Sequence, residues 1–123
     1  MRKIYRNIKY GILRCIEWFP IMWNDCHWDY VYIFIILRKK LQLTMKYIEH
    51  GHSAYPEHAV KRIQECVFLL NRIIKDDYYF VNKVFPSRSV LCRKYFLEVD
   101  KLREGDYDRL FYIMRKYIQG WWD

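Results

Sequence analysis

Two clusters of residues in this chain have the types and spacing to hold a ligand. The first is His50-Gly51-His52-Ser53, just ahead of Pro56. If a helix starts there, its free N–H groups meet a permissive glycine, a hydroxyl and one or two imidazoles, which together suit an anion. Arg62 or Lys61, about two turns into that helix, adds positive charge for a ligand lying along it. The same glycine and serine also serve as ordinary caps at a helix corner, so capping and phosphate binding both stand as readings.

The second cluster is Trp18, Trp23 and Trp28, with Phe19 and Tyr30 close by and Arg14 one turn before Trp18. Rings beside a guanidinium can stack on a base while the cation pairs its phosphate. The alternative is that these rings close one end of the core or form a subunit interface.

Other chemistries find less support. His50, His52 and His58, or Cys26 with His27, include good zinc ligands, but their spacing matches no zinc signature, so no metal is expected. Asp76 and Asp77 are neighbours that a helix would point about 100° apart, so both cannot reach one ion without distortion. Solvated or capping roles are expected for them. No Ser–His–acid order, phosphate-binding glycine loop or paired helical histidine motif occurs, so neither a catalytic residue nor a cofactor is expected.

The elements that must position these groups are read as helices. Ile4, Ile8, Ile12 and Ile16 recur at helical spacing, predicting a helix from about residue 3 to about 18, ended by Pro20. A solvated basic face over a buried apolar stripe explains this pattern, and contact with anionic lipid or a nucleic-acid backbone is the alternative. Asp29 is placed to cap a second helix with a buried line of Ile33, Ile36, Leu37, Leu41, Met45 and Ile48, stopped by Gly51. A third starts near Ser53 and Pro56 and buries Ala59, Ile63, Cys66, Val67, Leu70, Ile73 and Ile74, with room to continue as far as Val84. A fourth is expected over 89–103. Gly105 then breaks the chain, and Asp106 caps a fifth that carries Leu110, Met114, Tyr117, Ile118 and Trp121.

The 123 residues suit one domain, and the 53% hydrophobic content with four Gly and three Pro excludes a disordered chain. The fold class expected is all-α, a compact bundle of about five helices forming a single domain over residues 1–123, with the Trp-rich connection covering one end of its core. Net charge is +8, and Arg2, Lys3, Arg6, Lys9 and Arg14 fall in the first 14 residues without an acid; the remainder is nearly balanced. The four cysteines form no CxxC pair, and the start is too polar for a secretory signal, so reduced thiols in a cytoplasm are expected. The longest apolar run, Tyr30 to Leu37, is far short of the roughly 20 residues a spanning helix needs.

The stretches Gly11 to Asp25, Trp28-Asp29-Tyr30, Gly51-His52-Ser53, Leu70 to Ile74 and Trp121-Trp122-Asp123 resemble a recurring type of small protein encoded by tailed bacteriophages. The resemblance implies a setting, the cytoplasm of an infected bacterial host, where such accessory proteins act against host defence or redirect host machinery. It assigns no catalytic residue.

Together these readings lead to an expected non-enzymatic binder that sequesters a small phosphate-bearing nucleotide signal of host antiviral defence. The expected ligand-binding residues are Arg14, Trp18, Trp23, Trp28, His52, Ser53 and Arg62. The partners expected are a small nucleotide and further copies of the chain, with no membrane. A module that binds nucleic acid or inhibits a host protein through the basic first helix is the alternative.

Overall fold

In a computed structural model, residues 1–52, 56–76, 78 and 89–121 are described. Four α-helices carry the fold: α1 (Arg2–Trp23), α2 (Val31–Tyr47), α3 (Pro56–Lys75) and α4 (Ser89–Tyr117). A wide helical turn, Ile48–His52, follows α2, and a 3-10 turn, Ile118–Trp121, follows α4. The all-α expectation holds, with four α-helices among the described residues where about five were expected.

The core forms around α3. Its sequence repeats apolar residues on one face, and Ala59, Ile63, Cys66, Leu69, Leu70 and Ile73 are buried there. The helix packs against α2 on one side and α4 on the other. Arg38 Nη1 on α2 donates to Asn71 Oδ1 at 2.8 Å, tying the first half of α2 to the last part of α3. That antiparallel pairing is closed by the turn after α2, where Gly51 sits at φ +86°, a conformation that disfavours a side chain. On α4, Leu110 and Ile113 complete the core, and Trp121 seals it beyond the helix end.

Several boundaries differ from those expected. The first helix does not stop at Pro20 but runs one more turn to Trp23. Proline removes a single N–H there, and Asn24 Nδ2 donates to the Pro20 carbonyl at 2.9 Å, satisfying one of the orphaned terminal acceptors. The second helix starts as predicted, with Asp29 Oδ1 accepting from the Val31 N–H at 3.0 Å. Its buried line is Leu41, Thr44 and Ile48, whereas Ile33 and Ile36 are exposed.

The α3 helix ends at Lys75, and most of the expected continuation as far as Val84 lies outside the described residues. Asp76 takes a positive φ of 50° and its N–H donates to the Arg72 carbonyl, a left-handed C-terminal cap. Residues 77 and 79–88 lie outside the described set. The expected break at Gly105 is absent: the two predicted helices are one, α4, and Asp106 is a buried residue inside it rather than a cap. Glycine costs about 1 kcal/mol in a helix interior, less than the packing that Val99, Leu110 and Ile113 supply on either side.

Asp106 anchors a polar contact at the edge of the core. Tyr78 Oη donates to Asp106 Oδ2 at 2.6 Å, and Arg72 Nε forms an ion pair with the same oxygen at 3.1 Å. Arg103 holds Asp76 at 2.9 Å, so the cap residue is also tied to α4.

Burial, then the hydrogen bond to Asp106 and its charge, raise the Tyr78 hydroxyl well above its ordinary pKa of 10. Burial also pushes the Cys66 thiol up to about 11. Both groups keep their protons more tightly folded than unfolded, so the stability they contribute is fully present below their unfolded values of about 8.5 and 10. It is lost as pH rises past those values. The urea midpoint is expected to fall between about pH 8 and pH 11; an unchanged midpoint would contradict this environment.

Candidate functional site

Because α3 and α4 are antiparallel, the first turns of α3 meet the last turn of α4. Glu65 Oε1 accepts from Arg109 Nε at 2.8 Å, fixing the register between them. Beyond that pair, His58, Ala59 and Arg62 on α3 face Lys116 and Tyr117 on α4 and Gly120 and Trp121 of the 3-10 turn across a cavity of about 370 Å³. This volume lies at the small end of ligand pockets.

The described lining is cationic and aromatic, and no carboxylate is among its described residues. The Arg62 guanidinium lies 4.0 Å from the centre of the Tyr117 ring, which holds its planar fork in place. Lys116 Nζ is 5.3 Å from the same ring and donates to Tyr112 Oη at 3.2 Å. Hydrogen bonds to the Tyr112 and Tyr117 hydroxyls lead the causes that raise the Lys116 pKa, which keeps the ammonium charged. Trp121 is buried, and its indole N–H finds no acceptor among the described residues. An unpaired buried donor costs roughly 1–3 kcal/mol. The cavity therefore offers two cations between ring walls, an arrangement suited to an anion attached to a flat or apolar body.

Of the residues expected to bind, Arg62 is in this cavity. His52 belongs to the turn after α2, but its side chain lies outside the described set, as does all of Ser53. Arg14 and Trp18 come together elsewhere, in a groove of about 340 Å³ between α1 and α2 that also includes Glu17, Lys40, Leu43, Thr44 and Tyr47. That groove mixes an acid with its two cations, which weakens its attraction for phosphate.

Trp23 and Trp28 line neither space. They are 76% and 88% exposed, so the Trp-rich connection does not cover an end of the core. Trp23 tilts against Phe19, with ring centres 5.5 Å apart. Within one chain these two tryptophans lie at the start of α2 and the α3 entrance lies past its end. The 17 residues of α2 separate them by about 25 Å.

Lys116, Tyr117 and Trp121 had no sequence signal as site residues. The first is a surface lysine by type, and the other two read as core. The sequence marks His58 only as a metal-ligand type, and among the described residues no three His, Cys, Asp or Glu side chains cluster as a metal would need. Cys15, Cys26 and Cys66 are free thiols.

No helix among the described residues is long and apolar enough to cross a membrane. Compared with models of known families, with curated proteins and with solved structures, the chain matches none.

Proposed function

We propose that the protein is a non-enzymatic binder of a small phosphate-bearing molecule of nucleotide type, held between the entrance of α3 and the turn after α4. The observation that carries this reading is the pairing of Arg62 and Lys116 beside the Tyr117 and Trp121 rings around one cavity with no carboxylate among its described lining residues. Arg62 supplies a bidentate fork for phosphate oxygens, Lys116 a second charge, and the Tyr117 and Trp121 rings an apolar wall. The described lining residues include no nucleophile beside a base, so the ligand is held and returned unchanged. The resemblance to small phage-encoded proteins supplies the setting: a nucleotide messenger of host antiviral defence is withdrawn from its receptor by sequestration.

The site differs from the one first expected in which rings it uses. Trp23→Ala and Trp28→Ala are expected to leave nucleotide affinity within about twofold of the parent, because neither residue lines the cavity. Affinity should fall only modestly with salt, since two cations contact the ligand instead of the many that follow a polymer backbone. Equilibrium dialysis against a panel of cyclic and linear nucleotides, with the bound fraction recovered and identified by chromatography, tests this reading. A ligand recovered intact supports it. A chemically altered ligand contradicts the non-enzymatic role, and loss of binding in either tryptophan variant contradicts the location.

A further inference from the structure

The first helix is amphipathic, but among the described residues nothing covers its apolar side. None of its residues is buried, and it does not pack closely along any other helix. Its half-buried positions, Gly11, Trp18 and Ile21, share the side that meets α2. Ile4, Ile8, Ile12, Ile16, Phe19 and Trp23 fall on a different arc, about 120° wide, and each is more than half exposed. Lys9 and Arg2 border that arc, and Arg6, Arg14 and Lys3 lie farther round, with no acid before Glu17. The 22 residues make a rod about 33 Å long with an apolar stripe on one side and a basic flank beside it.

We infer that α1 docks this face on the interface of a membrane containing anionic lipid, lying in its plane without crossing it. Charge selects the occupant. A second copy meeting α1 through α1 would set five cations against five others, with no carboxylate before Glu17 to offset them. A nucleic-acid backbone would use the cations and leave the isoleucines, Phe19 and Trp23 in water. An anionic interface uses both: headgroups meet Arg2, Arg6 and Lys9 while the stripe enters the boundary of the acyl region. Trp23 at the end of the helix and exposed Trp28 beyond it suit the level where rings with one polar edge collect. This contact extends beyond the ligand cavity and departs from the expectation of no membrane partner, taking up the anionic-lipid alternative that the pattern of the first helix leaves open.

The full chain is tested by flotation with vesicles of phosphatidylcholine alone and of phosphatidylcholine mixed with phosphatidylglycerol, while tryptophan emission is followed. Binding to the mixed vesicles is expected with a blue shift of emission, at least about tenfold tighter than to the neutral ones and weakened by salt. Ile8→Asp with Ile12→Asp should weaken vesicle binding about tenfold or more, and Arg2→Glu with Arg6→Glu should remove the preference for anionic lipid. Circular dichroism and the urea midpoint of each variant are expected to match the parent, because these side chains pack against nothing in the core. Three results would each overturn the inference: no binding to either vesicle, vesicle binding that ignores both variants, or a dimer in sedimentation that Ile8→Asp with Ile12→Asp dissociates without any vesicle binding by the parent. Ligand binding in the cavity is scored separately, so failure of one reading leaves the other standing.

Discussion

Leu70→Ala is expected to lower the stability of the protein by roughly 2–5 kcal/mol. Leu70 is 0% exposed, on the helix that packs against both α2 and α4, with Ile63, Cys66, Ile73, Leu110 and Ile113 in the same buried cluster. Truncation removes three carbons' worth of burial and leaves a hole that two flanking helices would have to move together to fill. The check is a shift of the urea midpoint at an unchanged slope. A midpoint equal to the parent's would mean that α3 is not the centre of the fold. Ile33→Ala serves as a contrast: it also removes a large apolar side chain, but from an exposed position, so its effect should stay within about 0.5 kcal/mol.

Asp106→Ala is expected to cost roughly 2–4 kcal/mol by a different route. The change leaves the buried Tyr78 hydroxyl without its acceptor and removes the carboxylate from the Arg72 guanidinium. Arg72 is partly exposed and can be hydrated, which keeps the figure below that of a fully buried ion pair. Asp106→Asn retains an acceptor for Tyr78 but not the charge for Arg72, so its loss should be smaller than that of Asp106→Ala. Thermal or urea unfolding of the two variants beside the parent measures the order. If Asn and Ala destabilise equally, the Tyr78 contact contributes little.

The α3 face was legible in the sequence because its apolar residues occupy one stripe with polar residues around the rest, leaving one orientation that buries them. The start of α2 lacks such contrast: Val31 to Leu37 is apolar on all sides, so periodicity could not choose between Ile33 and Phe34. Packing chose Phe34, whose ring lies 5.6 Å from that of Tyr107 on α4. The first helix shows the opposite limit. Its isoleucine period announces an apolar side, but a period says nothing about what covers it, and none of the described residues does.

Gly105 and Asp106 read as a break and a cap because those residue types favour such roles locally. Long-range contacts from Tyr78 and Arg72 turned Asp106 into a buried acceptor instead. The site was legible only as Arg62. Its companions Lys116, Tyr117 and Trp121 reach it because α3 and α4 run antiparallel, a pairing fixed by the tertiary contacts between Glu65 and Arg109 and between Arg72 and Asp106. Local sequence around Arg62 holds no trace of that pairing.

The central claim is that Arg62 and its neighbours bind a phosphate-bearing small molecule. Titration calorimetry of the parent and Arg62→Ala, against nucleotides and the matching nucleosides without phosphate, tests it most directly. The parent should bind a nucleotide of the panel, and Arg62→Ala should weaken that ligand about tenfold to a hundredfold while leaving any residual nucleoside binding unchanged, as expected for loss of a charge-assisted contact. No heat from any nucleotide at micromolar protein, or equal affinity in the parent and Arg62→Ala, would contradict the account.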